Sequence, residues 1–230
     1  VGVVIANEVI DALPVTVFEC RDGGIFERGV CFERASGLQW ATRSAGAALA
    51  CAVEARVTEP VRASHILYRS EINFRQATWL ADLARFLSSG VVILADYGYP
   101  GHEYYHADRR DGTLQCHYRH RVHNDVFWHP GLQDITASVD FTALAGAATS
   151  AGFEVRGYAD QANYLLSSGI TDSLAEQVLR GIDAQYRAAQ AVKTLLLPQA
   201  MGTRAKFMSL SVNYGGPITG YLLRDDRHRL

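Results

Sequence analysis

The sequence predicts an α/β fold with a mostly parallel sheet, and three features carry that expectation. Val1-Gly2-Val3-Val4-Ile5-Ala6 and Val91-Val92-Ile93-Leu94-Ala95 are apolar runs with no polar alternation. Such runs fit strands covered on both faces, as inside parallel sheets. Helix-period stretches follow each of them, so strand, helix, strand, helix, strand alternates along the chain. The composition agrees: of 230 residues, 48% are hydrophobic and 20% charged, with 22 Lys+Arg against 24 Asp+Glu for a net charge of −2. That much apolar surface suits a folded globular chain, and the near-neutral balance argues against a general nucleic-acid binder.

The first run starts at residue 1 with neither an initiator methionine nor a signal-peptide pattern. A central strand seldom opens a chain, so residues 1–230 are expected to be the C-terminal portion of a single, longer domain. Val15 to Glu19 and Ile25 to Glu33 flank Asp22-Gly23, which predicts a hairpin. Residues 37–72 read as an irregular insertion with one Ala-rich helix. Asn73 with Gln76 three residues later resembles a capping box. It opens a helix that places Leu80, Leu83, Ala84 and Leu87 on one face and stops at Gly90. The His- and Arg-rich stretch 100–130 reads as a long loop.

Asp140 is placed to cap a helix that buries Phe141, Leu144, Ala145 and Ala148. Phe153 to Arg156 reads as a short strand, and helical patterns cover 161–166 and 172–197 before Pro198. Phe207 to Val212 alternates like a half-exposed edge strand. No apolar run approaches the ~20 residues that span a bilayer. The four cysteines, Cys20, Cys31, Cys51 and Cys116, form no Cys-x-x-Cys pair. A reducing compartment is expected: the cytoplasm of a bacterium, or the mitochondrial matrix of a eukaryote.

In open α/β sheets, ligands bind beyond the carboxyl ends of the strands. That rule singles out Asn7-Glu8 after the first run and Asp96-Tyr97-Gly98 after the second. If a helical turn follows Glu8, Asp11 lies on the same side of it, and paired carboxylates suit a forked guanidinium. The same residues also serve as turn caps, so pattern alone leaves both readings open. Asp96 and Tyr97 either line an acceptor pocket or belong to a strand-ending turn that Gly98 permits. His102, His106, His117, His120, His123 and His129 share one stretch, yet paired cysteines and a His-Glu-x-x-His helix are missing. No metal is expected.

Val3 to Val15 (Val-Val-Ile-Ala-Asn-Glu-Val-Ile-Asp-Ala-Leu-Pro-Val) resembles the hallmark segment of a known family. This is the class I, S-adenosylmethionine-dependent methyltransferases of the mitochondrial complex I assembly factor 7 (MidA) family. The resemblance continues through Ile25 to Val30, with Glu27 at a family glutamate and Ile25 in place of a tryptophan. It runs on through Ala95 to Tyr99, Arg110 to Leu114, Cys116 to His120, Gly131 to Phe141, Gln161 to Gly169 and Met201 to Phe207.

The resemblance implies a Rossmann-like class I methyltransferase sheet with hairpin and helical insertions. Its first three strands and Gly-rich cofactor loop are absent from this chain, so the chain alone is expected to bind cofactor weakly and to be inactive. It implies S-adenosyl-L-methionine as cofactor, touched here by Asn7 and Glu8. Glu8, Asn7 and Asp11 become the catalytic candidates, Asp96, Tyr97 and Gly98 the acceptor-pocket candidates, and Glu27 a structural or rim residue. The implied activity is symmetric dimethylation of protein arginine, with a respiratory complex I subunit as the substrate of the mitochondrial relative. The alternatives are a methyltransferase of a small molecule or RNA, and a non-catalytic assembly chaperone that keeps the fold.

Overall fold

The computed structural model describes residues 1–178 and 181–230. The chain opens with β1 (Gly2–Asn7), then β2 (Thr16–Arg21), β3 (Gly24–Glu33) and β4 (Gly37–Ser44). Next come α1 (Ala47–Glu54), α2 (Glu59–Arg62), β5 (Tyr68–Ile72), α3 (Arg75–Phe86) and β6 (Gly90–Tyr99). After α4 (Gly101–Tyr104) lie the short strands β7 (Gln115–Tyr118), β8 (Arg121–His123), β9 (Asp134–Thr136) and β10 (Val139–Asp140). The last third holds α5 (Phe141–Ser150), β11 (Glu154–Asp160), α6 (Gln161–Ser167), α7 (Ile170–Val178), α8 (Ile182–Leu196) and β12 (Ala205–Val212). Of the predicted helix 172–197, residues 179 and 180 lie outside the described residues. No helix among the described residues is long and apolar enough to cross a membrane.

The sequence reads as part of one domain, whereas the folded chain groups into two compact units. The first comprises Val1–Val9, Trp79–Gly98 and Phe141–Leu230; the second comprises Ile10–Thr78 and Tyr99–Asp140. Two chain excursions build the second unit, one leaving after β1 and the other after β6.

In the first unit the strand order is β1-β6-β12-β11. β1 and β6 run parallel, with Asn7 opposite Ala95, and β12 lies antiparallel to both β6 and β11. Two expectations are corrected here. β12, read as a half-exposed edge strand, is interior: Met208, Ser209 and Leu210 are fully buried. Its serines mimic a solvent face but are satisfied internally. The Tyr221 hydroxyl donates to Ser209 Oγ at 2.8 Å, and Arg156 donates to Ser211 Oγ at 3.3 Å. β1, read as covered on both faces, has β6 as its one neighbour among the described residues, and its Val3 and Ile5 side chains are exposed in this chain.

Tyr221 also packs over Gly157 of β11, where an added Cβ would enter its ring. Gly157→Ala is therefore expected to destabilise by about 1–3 kcal/mol through overpacking. A lowered urea midpoint at unchanged slope would register it.

The second unit is built on an antiparallel sheet of order β4-β3-β2-β5. The predicted hairpin forms: Asp22 at φ 50° and Gly23 at φ 76° make the left-handed turn that Asp-Gly favours. One sheet face carries Phe18 and Cys20, which pack with Leu49, Val53 and Tyr68 into a core. Residues 37–72 are thus more regular than expected, since they supply β4, α1, α2 and β5. Ala and Gly between Ala41 and Ala50 blur where strand ends and helix begins. At the unit's boundary Asn73 behaves as the capping signal requires, its Oδ1 accepting from the Arg75 and Gln76 amides at 3.0 and 3.1 Å.

The stretch 100–130, expected as a long loop, carries α4, β7 and β8, and β7 pairs with both β8 and β9. The β7–β8 turn is made by Arg119 at φ 48° and His120 at φ 64°. Such two-residue turns usually announce themselves as Asn-Gly. Here the residue types conceal the hairpin.

A carboxylate ties this stretch to β5. Glu71, 2% exposed, accepts from the Thr113 amide at 3.0 Å, the Leu114 amide at 3.1 Å and the Tyr104 hydroxyl at 3.2 Å. Gly112, at φ 71°, lies so close that a Cβ would strike the Glu71 carboxylate.

Candidate functional site

Parallel pairing brings the carboxyl ends of β1 and β6 to the same edge of the first unit's sheet. Asn7 and Glu8 follow from β1, and both are exposed. The Glu8 amide donates to the Ala95 carbonyl at 2.9 Å, which extends the β1–β6 ladder by one bond. Glu8 then turns the chain at φ 51°, a left-handed conformation that is uncommon outside glycine. Strain of this kind costs on the order of 1–3 kcal/mol and clusters at functional sites.

From β6, the Tyr97 hydroxyl donates to Glu8 Oε1 at 3.2 Å. Asp96 is 2% exposed, and its Oδ1 accepts from the Tyr97 amide at 2.8 Å. Glu8, Tyr97 and Asp96 therefore form a chain of contacts that fixes the Glu8 carboxylate at the sheet edge. Asn7 stands beside it with its amide open to solvent. Gly98 does not end the strand: β6 continues to Tyr99, and Gly98 is a buried strand residue. The turn reading of Asp96-Tyr97-Gly98 is thereby replaced by a strand that carries Tyr97 to Glu8.

Asp11 has a different setting. No helix follows β1, because the left-handed Glu8 interrupts it. Residues 10–13 form a turn in which the Leu13 amide donates to the Ile10 carbonyl at 3.2 Å. The shared helical face expected for Glu8 and Asp11 is absent. Asp11 is 8% exposed and belongs to the second unit, where its carbonyl accepts from the Ala137 amide at 3.0 Å. Glu27 is held on the core side of the sheet, opposite Phe18, and Arg43 donates to its carboxylate at 2.9 Å. Glu27 also lines the groove of the second unit.

Asp11 lines a groove of about 580 Å³ within the second unit. Strand register puts Arg28, Val30 and Phe32 of β3 on one face with Trp40 and Leu38 of β4. The Arg28 guanidinium lies 4.4 Å from the Trp40 ring centroid, and Trp40 packs on Phe127 at 5.4 Å. None of Arg28, Trp40 or Phe127 was singled out by the sequence. The alternation of Val30 and Phe32 against Leu38 and Trp40 is the signal that points to them once β4 is recognised as a strand. Among the described residues, no group of three or more His, Cys, Asp or Glu side chains is arranged to hold a metal ion.

The chain resembles solved structures over its whole length. A crystal structure of an uncharacterized protein from Burkholderia thailandensis superposes with a TM-score of 0.92 at 38% identity, covering 100% of this chain and 60% of that one. A second crystal structure from the same organism, bound to S-adenosyl-homocysteine, gives 0.88 at 37% identity over 100% of this chain and 58% of that one. The mitochondrial protein arginine methyltransferase NDUFAF7 of Rattus norvegicus is 29% identical over 220 residues, 90% of this chain and 45% of the relative. The Danio rerio protein of the same name is 33% identical over 125 residues, 53% of this chain and 27% of the relative. The chain thus spans less than half the length of the curated relatives it matches. The model of the family described as "Putative S-adenosyl-L-methionine-dependent methyltransferase" matches residues 1–159, well over half of the chain, and the chain belongs to that family.

Proposed function

We propose that this chain is the acceptor-side portion of an S-adenosylmethionine-dependent methyltransferase that acts on arginine side chains of a protein. The observation that carries this reading is the Glu8 carboxylate, exposed at the shared strand ends and oriented by the Tyr97 hydroxyl at 3.2 Å. The names of the curated relatives support the acceptor type, and the neighbour bound to S-adenosyl-homocysteine supports the cofactor. A complex I subunit as acceptor, in the manner implied by the family resemblance, is part of the proposal. The cytoplasm of a bacterium or the mitochondrial matrix is the proposed setting.

The residues present suit a cationic cofactor and a cationic acceptor. Asn7 and Glu8 are exposed, and the Glu8 carboxylate accepts from the Tyr97 hydroxyl. S-adenosylmethionine supplies an electrophilic methyl group on a sulfonium. Glu8 is proposed to hold the guanidinium by charge-assisted hydrogen bonds, so that one nitrogen points along the axis of transfer. A fixed carboxylate also opposes the positive charge shared between acceptor and donor in the transition state. Tyr97 is a positioning residue that acts through Glu8, and Asp96 in turn fixes the Tyr97 backbone.

Incubating the full-length gene product with a proteome and methyl-labelled cofactor tests the reading. Label recovered as dimethylarginine is the expected result. Label in RNA or in small molecules would overturn the acceptor class, and no transfer at all would favour the chaperone alternative. Tyr97→Phe should lower kcat by about 3- to 10-fold with little change in cofactor affinity, the size of one typical hydrogen bond lost at an exposed site. Tyr97→Phe with unaltered kcat would remove Tyr97 from the site.

A further inference from the structure

We propose that Lys206 is a positioning residue for methyl transfer: it supplies the positive charge that keeps the buried Asp96 carboxylate ionised, and through Asp96 it holds Tyr97 and Glu8 in place. This rests on the reading that transfer takes place at Glu8.

Asp96 lies near the end of β6 and is 2% exposed. A carboxylate so closed off from water is costly unless hydrogen bonds and an opposite charge offset its lost hydration. One bond is in place, since the Tyr97 amide donates to Asp96 Oδ1 at 2.8 Å. Strand register supplies the charge. Asp96 stands directly opposite Lys206 on β12, and Lys206 stands opposite Asp160 on β11. Opposed residues of an antiparallel ladder share a face, with Cβ atoms about 4.5–5.5 Å apart. The next row on that face, Leu94, Met208 and Tyr158, is buried. Lys206 therefore projects beside Asp96 at the rim of a dry layer, where opposite charges act more strongly than in water.

Two more carboxylates flank this row among the described residues, Asp160 and Glu8. Asp160 is engaged as the cap of α6: its Oδ1 accepts from the Asn163 amide at 2.9 Å and from the Asn163 side chain at 2.8 Å. Glu8 accepts from the Tyr97 hydroxyl. The Lys206 ammonium donates to the Thr203 carbonyl, which anchors it at the start of β12. An ammonium has three donors, so this bond does not exhaust it. The route to the transfer site is short. Ionised Asp96 fixes the Tyr97 amide, and the Tyr97 hydroxyl reaches Glu8 at 3.2 Å. A protonated carboxyl is the weaker acceptor. Tyr97 then loosens, and Glu8 with it.

Two measurements on the full-length gene product test this. In the first, total methyl transfer from labelled cofactor is followed from about pH 5 to 9, a range that brackets the expected limb. Lys206→Met should move the acid limb of kcat up by at least ~1 pH unit, the effect of removing an opposite charge beside a carboxyl. Lys206→Arg should restore the wild-type limb. In the second, urea unfolding compares wild type with Lys206→Met. Without its cation the folded Asp96 carboxyl titrates above its unfolded value, so the stability it confers is present in acid and lost as pH rises. The variant's deficit should therefore be small near pH ~4.5 and grow toward pH ~8. In an Asp96→Asn background the same Lys substitution should cost equally at both. If Lys206→Met fails to fold by its melting curve, Lys206→Gln replaces it with the same expectations. An unshifted acid limb or a deficit indifferent to pH overturns the proposal. So does a pH dependence that survives in Asp96→Asn, by assigning the charge to Asp160. Label found in RNA or small molecules would correct the acceptor class while the shifted limb still supports Lys206. No transfer at all, with the expected deficit, would keep the pairing with Asp96 and overturn its role in transfer.

Discussion

Glu8→Gln, in the full-length gene product, is expected to reduce methyl transfer at least ~100-fold while leaving the melting temperature and cofactor affinity close to wild type. The substitution keeps the side chain's size and one acceptor for the Tyr97 hydroxyl, so the contact at 3.2 Å survives. What is lost is the negative charge. A preorganised electrostatic partner of a transition state contributes about 3–4 kcal/mol, which sets the predicted factor. Glu8 is exposed, so no buried group is left unsatisfied and stability should hold. Near-normal turnover in the variant would reduce Glu8 to a turn residue. A large fall in melting temperature would make its role structural. Asp11→Asn is expected to do less to turnover, because Asp11 sits in the second unit's groove rather than on a shared face with Glu8.

The sheet's strands were legible where side-chain pattern and environment agree. Val91 to Asp96 is a buried strand in sequence and in structure, and Asp22-Gly23 states its own turn. Reading failed where one residue type has two uses. Ser209 and Ser211 look like solvent-facing positions, yet Tyr221 and Arg156 satisfy them inside the sheet. Arg119 and His120 adopt a hairpin turn without the residues that usually permit one. For the site, Asn7, Glu8 and Asp96-Tyr97 follow from the rule about strand ends. The link between Tyr97 and Glu8 depends on strand register, and 89 residues separate the two in sequence. No local pattern carries such information. For Asp11 the pattern points to a helical face shared with Glu8, which the left-handed turn at Glu8 removes.

Glu71→Ala should be among the most damaging substitutions in the second unit, destabilising by about 3–5 kcal/mol. Three donors that converge on the carboxylate, the Thr113 and Leu114 amides and the Tyr104 hydroxyl, lose their acceptor in a site closed to water. Glu71→Gln should be milder, at about 2 kcal/mol, since one oxygen remains while the new amide meets donors. Equilibrium urea unfolding would measure both, and a loss below 1 kcal/mol for the alanine variant would contradict this account.

The pH dependence has a definite sign. Burial pushes the Glu71 carboxyl above the usual carboxylate range, against the pull of its amide and hydroxyl donors. A folded-state pKa above the unfolded one, about 4.3, means that its stabilising contribution is present in acid and lost as pH rises through the folded value. The stability difference between wild type and Glu71→Gln should therefore be larger near the unfolded pKa than at alkaline pH.

The position of β12 has a consequence for biosynthesis. Residues 205–212 lie between β6 and β11, so the middle of the sheet is filled by the last of its described strands in chain order. Until then, β6 and β11 emerge with hydrogen-bonding edges facing a gap. The closing step joins positions more than a hundred residues apart, which makes it entropically slow. A nascent chain stalled before Ala205 would hold α3, α5 and α6 over an unfinished sheet, a species with open strand edges and a marked tendency to aggregate. Completion of the first unit must therefore wait until residues 205–212 have left the ribosome, with those edges open or shielded by another factor in the meantime.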